Sequence, residues 1–128
     1  MRYLVDTHVL LWAAGEPDRL SAAAREILAD DSAQLSFSVA SVWEVAIKAG
    51  LGRPDFTVDA HLFRRGLIDA GFAELPILGP HVTAVADLPP LHRDPFDRML
   101  VAQARSEGML LLTKDPAVAR FGGGIQLV

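Results

Sequence analysis

The sequence predicts an α/β fold, a three-layer α/β/α sandwich on a mostly parallel central sheet. Two observations carry this. Short apolar runs of strand length, such as Arg2–Val5 and Met109–Thr113, are separated by longer segments with helical patterning. Those runs are nearly continuous in apolar residues, as in strands covered on both faces by helices. A length of 128 residues fits one domain, 1–128, with enough chain to bury a real core.

The elements follow in order. Arg2–Val5 is a buried strand ending at Asp6, and Val9–Ala14 forms a first helix that stops near Gly15. Pro17 and Asp18 mark a loop. Ser21 caps a second helix over 22–30. Leu35–Ser38 is the second strand, and Ser38 or Ser41 opens a helix through Ala49, stopped by Gly50 and Gly52. On that helix Val42, Val45, Ala46 and Ala49 follow the spacing of a buried stripe. Pro54–Val58 connects to a helix over 59–70 with Arg64 and Arg65 on its wet side, and Ala73–Ile77 is a third strand. A short helix over 81–86 is broken by Leu88-Pro89-Pro90-Leu91. Asp94 then sits at an N-cap and Pro95 at the first helical position of a helix running to about Glu107, with Gly108 as its C-terminal stop. Met99 to Ala102 and Ala104 make that helix apolar enough to be largely buried. Met109–Thr113 is a strand, Pro116 starts a short helical turn over 117–121, and 125–128 is a terminal strand after Gly122-Gly123-Gly124.

Composition narrows the function. With 51% apolar and 22% charged residues the chain is globular rather than disordered. It has no cysteine, which excludes disulfides, zinc–thiolate sites and thiol nucleophiles. The N-terminus is charged by Asp6, against a signal peptide, and no run approaches the roughly 18–20 apolar residues of a membrane span. A soluble cytoplasmic protein with no membrane partner is the expectation. No G-x-x-x-x-G-K-[ST], G-x-G-x-x-G or G-x-S-x-G motif is present, so P-loop, dinucleotide-binding and serine-hydrolase chemistry lose support. The net charge of −4, from 16 acidic and 12 basic residues, opposes nucleic-acid binding unless clustered carboxylates are neutralised by metal.

Such a cluster is expected. Ligand sites of open parallel sheets form outside the carboxyl ends of the strands. Asp6 and Asp115 each follow an apolar strand, Glu44 lies near the start of the helix after the second strand, and Asp94 and Asp97 open the long helix. Carboxylates gathered in one cleft repel and are costly to desolvate, and a hard divalent cation relieves both costs. Mg2+ or Mn2+ suits this oxygen ligand set, and metal-assisted phosphodiester hydrolysis then follows. Each acid also has a plainer reading: Asp6, Asp94 and Asp115 as helix caps, Asp97 as the capping-box partner of Asp94. Glu44, among apolar neighbours, is the hardest to dismiss. Lys48, Arg93, Arg98 and Lys114 lie beside the acids and are phosphate contacts or salt-bridge partners. His8 and His92 are local hydrogen-bonders or substrate contacts. Trp12 and Trp43 are read as core, with base stacking as the alternative.

Leu4-Val5-Asp6-Thr7-His8, Ser41-Val42-Trp43-Glu44, Asp94 through Ala104 and Leu112-Thr113-Lys114-Asp115, in this order, closely resemble the PIN domain, and within it the VapC toxins of toxin–antitoxin pairs. The match covers nearly the whole chain. The resemblance implies a PIN-like fold and a Mg2+- or Mn2+-dependent endoribonuclease cutting tRNA, rRNA or mRNA, a growth-arresting toxin. It matches the family's acids to Asp6, Glu44, Asp97 and Asp115. Asp6 and Asp97 are then the principal metal ligands, with Asp115 and Glu44 completing the site or orienting water. Asp94 is the extra acid of this Asp-Pro-Phe-Asp-Arg variety, a cap, a support for the ligands or an additional ligand. A homodimer and a cognate VapB-like antitoxin are implied too. Two other functions compete: a catalytically silent binding or assembly module whose acids only cap helices, and another metal-dependent phosphohydrolase. A phosphatase is disfavoured because Asp6-Thr7-His8 lacks a second aspartate two positions on.

Overall fold

A computed structural model describes residues 1–128. Its strands are β1 (Arg2–Val5), β2 (Gln34–Ser38), β3 (Ala73–Leu75), β4 (Leu110–Thr113) and β5 (Ile125–Leu127). They form one sheet in the order β3-β2-β1-β4-β5, parallel at every pairing. The helices are α1 (Thr7–Gly15), α2 (Ala22–Ala29), α3 (Val39–Gly50), α4 (Ala60–Asp69), α5 (Gly79–Val85), α6 (Pro95–Glu107) and α7 (Pro116–Ala119), with a 3-10 turn at Pro17–Arg19.

Alternation along the strands sends neighbouring side chains to opposite faces, and each face carries its own core. Leu4 and Leu111 pack with Leu100, Val101 and Ala104 of α6, Val118 of α7 and the partly buried Val85 of α5. Tyr3, Val5, Phe37 and Leu112 pack with Val9 and Leu10 of α1, Val45 of α3 and Phe63 and Leu67 of α4, with Ile27 of α2 at the edge. The result is the expected three-layer α/β/α sandwich.

The strand order decides where the site forms. β1 is central, and winding runs from it to β2 and β3 on one side and to β4 and β5 on the other. The crevice at this reversal, beyond the carboxyl ends of β1 and β4, is where such sheets bind ligands. Val5 pairs with Leu112, so Asp6 and Thr113 stand side by side at the carboxyl edge of the sheet.

Several local expectations shift. α1 starts at Thr7 rather than Val9, because the Asp6 carboxylate accepts from the Val9 N–H and caps the helix. β3 ends at Leu75, two residues early. On α3 the buried face holds Ala40, Ser41, Glu44 and Val45, whereas Ala46 of the expected stripe is exposed. Trp43 is not core: it is 58% exposed and heads a row with Ile47 and Leu51 at helical spacing, both also exposed. Val45 and Val42 of the expected stripe do face the core, but apolarity alone missed Ser41, held inward by Thr7 of α1, and Glu44, paired with Lys48 on the same helix. α6 meets its expectation, with Leu100 to Ala104 all buried, Gln103 among them. Gln103 is accommodated by hydrogen bonds: its amide oxygen accepts from the Ser38 hydroxyl at 2.5 Å and its amide nitrogen donates to the Pro76 carbonyl at 3.2 Å. No helix is long and apolar enough to cross a membrane.

Candidate metal-dependent site at the β1–β4 crevice

Asp6, Glu44, Asp94, Asp97 and Asp115 all line one cleft of about 380 Å3 at this crevice, with Thr7, His8, Lys48, His92, Lys114 and Pro116. All five sequence-derived acids therefore meet. Five carboxylates face two lysines there, an excess of negative charge in a partly enclosed space.

Helix starts position most of them. The Oδ1 of Asp6 caps α1 by accepting from the Val9 N–H at 2.9 Å, and its Oδ2 accepts from the Thr113 hydroxyl. Thr113 Oγ1 in turn accepts from the Asp115 N–H at 3.1 Å, so one buried hydroxyl ties the acid after β1 to the acid after β4. Asp115 caps α7 through the Ala117 N–H at 2.9 Å. Asp94 caps α6, its Oδ1 accepting from Phe96 N at 2.8 Å and Asp97 N at 3.0 Å. Capping and cleft-lining are thus compatible, since a carboxylate has two oxygens and spare lone pairs. Asp97 is different. Its side chain makes no return bond to the cap and instead accepts from or donates to His92 Nε2 at 2.8 Å, so the capping-box reading fails.

Glu44 is buried on α3, with Oε2 2.9 Å from Lys48 Nζ one turn on, while Oε1 is buried without a hydrogen-bond partner. Thr7 donates to Ser41 Oγ at 2.8 Å, fastening α1 to α3 beside it. Burial raises the Asp97 pKa to about 6, against the opposing His92 bond, and the Asp94 and Glu44 charges add to the rise. Asp6 is also raised, by burial that outweighs its bonds from Thr113 and Val9. His8 is lowered, by desolvation and then by Lys114, so it adds little positive charge.

These residues suit a hard divalent cation. Ligand atoms of His92, Asp97 and Asp115 lie within 4.8 Å of one another, Glu44, which lines the same cleft, has one buried oxygen without a partner, and burial favours the protonated forms of two acids. Each feature is relieved by a dication. His92 already spends Nε2 on Asp97, so its geometry is that of a group orienting a ligand.

Two roles became specific only in three dimensions. His92, read from sequence as a local hydrogen-bonder or substrate contact, proves to bond Asp97 from the irregular loop before α6. Thr113 lay within the quoted Leu-Thr-Lys-Asp motif without an assigned role. Arg98 departs from the phosphate-contact expectation: its guanidinium donates to the carbonyls of Val85, Leu88, Pro89 and His92, fastening the loop before α6. Lys48 and Lys114 remain at the cleft, and Arg93 is exposed outside its lining.

The model of the PIN domain matches residues 3–124. The chain belongs to the PIN domain family. This PIN chain is 32% identical over 114 residues to Ribonuclease VapC22 of Mycobacterium tuberculosis, covering 88% of this chain and 85% of that protein. Its PIN fold is shared by VapBC2 of Rickettsia felis, solved on a promoter DNA fragment, with TM-score 0.72, 12% identity and coverage of 100% and 98%. A toxin–antitoxin complex from Klebsiella pneumoniae gives TM-score 0.67 at 17% identity, with 97% and 95% covered. Members of this PIN group are thus the expected VapC-type relatives.

Proposed function

We propose that this PIN protein is a divalent-metal-dependent endoribonuclease, a VapC-type toxin held in check by a VapB-like antitoxin. The observation that carries this is the convergence of Asp6, Glu44, Asp97 and Asp115 in one cleft at the switch point of the sheet. Likeness to Ribonuclease VapC22 supports the substrate class, and the toxin–antitoxin complexes among its structural relatives support the partner.

In this reading Asp6 and Asp97 hold Mg2+ or Mn2+, with Asp115 and the free oxygen of Glu44 completing the site or orienting water. A bound dication supplies charge neutralisation, a grip on a phosphate oxygen and a lowered pKa for the attacking water. The protein's own groups do the rest. His92 fixes the Asp97 carboxylate, Thr113 fixes Asp6, and Glu44 Oε1 accepts a hydrogen bond from the incoming water. Lys48 and Lys114 at the rim steer the RNA backbone against the chain's negative charge. Asp94 serves as the cap that aims Asp97. A homodimer belongs to the same reading.

Incubation of a mixed RNA pool, tRNA included, with Mn2+ or with EDTA tests it. Cutting with Mn2+ alone, lost in folded Asp6→Asn, is the expected result. An antitoxin-free preparation that cuts nothing would falsify the nuclease, and one that cuts equally in EDTA would overturn its metal dependence. Co-purification with the product of a neighbouring gene, and lost activity in that complex, checks the antitoxin.

A further inference from the structure

Beside the acidic cleft lies a second cavity, of about 250 Å3, whose lining includes Val9, Trp12, Arg19, Leu20, Ala24 and Lys114. Lys114 lines both cavities, and its chain neighbour Asp115 lines the acidic one. The two spaces therefore meet across a single lysine.

Trp12 is half-buried and is a member of neither core. Basic groups surround it instead. Lys114 Nζ lies 4.4 Å from the ring centroid, Arg19 Cζ lies 5.7 Å away, and His8 meets it edge-on at 5.8 Å. Lys114 has no carboxylate within salt-bridge distance, and Arg19 pairs only with the exposed Glu16, at 3.3 Å. In a chain of net charge −4, two weakly committed cations gathered on one indole are not explained by pairing. An indole with apolar walls and adjacent cations is the chemistry that receives a nucleobase and its phosphate.

We propose that this cavity is a nucleobase subsite for the nucleotide next to the scissile phosphate. The base takes the place of a cation over the Trp12 ring and packs against Leu20 and Ala24, Lys114 moves from the ring to the phosphate linking the two spaces, and Arg19 closes the outer side. The subsite rests on the nuclease reading and adds to it a determinant of which sequence is cut.

A Trp43→Phe background leaves Trp12 as the sole indole, because the chain has two tryptophans. That protein is mixed with Mn2+ and a short single-stranded oligoribonucleotide in a stopped-flow instrument, so emission is read before cleavage proceeds. Cleavage is followed in parallel on a gel, and binding by anisotropy of an end label. The expected result is saturable quenching of Trp12 by the RNA and none by an abasic oligomer of equal length. Trp12→Ala should weaken RNA binding by about 5- to 150-fold, the usual range for losing one stacked base, with abasic binding unchanged. RNA that is bound and cut without any change in Trp12 emission, or equal quenching by the abasic oligomer, overturns the subsite and leaves the nuclease standing. RNA that is neither bound nor cut overturns the nuclease reading and the subsite with it.

Discussion

Asp97 carries an electrostatic cost that its own environment explains: burial first, then the charges of Asp94 and Glu44. Its folded pKa of about 6 lies above the 3.8 of an unperturbed aspartate. Between those values the native state holds a proton that the unfolded chain has released, so metal-free stability should rise as pH falls from 7 toward 5. A shift of about two units corresponds to a gain on the order of 1–3 kcal/mol. Asp6, also raised, acts in the same direction. Two groups act oppositely: His8, whose lowered pKa lets the unfolded chain take up a proton first as pH falls below about 6.5 and so offsets part of the rise inside this window, and Glu74, lowered by Arg64, whose contribution is lost only below about pH 4.5. Urea denaturation in EDTA at pH 7 and pH 5 checks the sign. Asp97→Asn should make the apo protein more stable at pH 7 and flatten its pH dependence, while abolishing metal-dependent cleavage. A less stable Asp97→Asn would mean that the His92 bond outweighs burial and repulsion.

Among the elements, α6 holds the most function per turn. Its N-terminus presents Asp94 and Asp97, its middle is buried, and its end relies on Gly108 at φ +66°. A Cβ added at Gly108 meets nothing within 4 Å, so the cost of Gly108→Ala is conformational alone. We expect a loss of about 1–2 kcal/mol, seen as a fall of several degrees in Tm with cleavage unchanged. At the other end, Asp94→Ala removes an acceptor shared by two N–H groups and should cost about 1 kcal/mol, whereas Asp94→Asn should cost only a few tenths. Comparing the two variants by thermal denaturation and by Mn2+ affinity separates capping from ligation: a loss of affinity in Asp94→Asn assigns Asp94 to the ion. Gln103, fully buried in the middle of α6, is satisfied by Ser38 at the end of β2 and by the carbonyl of Pro76 just after β3.

For the whole molecule, the site joins pieces distant in sequence: Asp6 after β1, Glu44 on α3, Asp97 on α6 and Asp115 after β4. An ion held only when all four meet binds the native chain and not the unfolded one. Mn2+ at about 100 times its Kd should therefore raise the unfolding free energy by about 2.7 kcal/mol, read as a higher Tm that rises further with concentration. Asp6→Asn should remove most of that shift. An unchanged Tm in wild type would leave the acids as caps and repelling neighbours, the arrangement of a silent module.

Local chemistry was legible in the residues themselves. Caps at Ser21, Asp94 and Asp115, the stop at Gly108 and the apolar strands need only near neighbours in the chain, so pattern and spacing reach them. Four of the acids could be named for the same reason, since Asp6, Asp94, Asp97 and Asp115 stand at the end of a strand or in the first turn of a helix, whereas Glu44, inside α3, stood out by its apolar neighbours. Facing was a different matter. Val42, Val45, Ala46 and Ala49 marked one stripe of α3, but Ser41, bonded to Thr7, and Glu44, with one oxygen on Lys48 and the other unpartnered, are buried too, Ala46 is exposed, and Trp43 turned out. His92 beside Asp97, Arg98 on four carbonyls and Thr113 between two aspartates depend on how separate segments pack. The order β3-β2-β1-β4-β5, which puts β1 beside β4 and so makes one cleft from scattered carboxylates, is likewise a product of long-range packing. Sequence determined which groups stand at the ends of the elements; tertiary structure decided which of those ends meet, because burial and hydrogen-bond partners are set by residues far away along the chain.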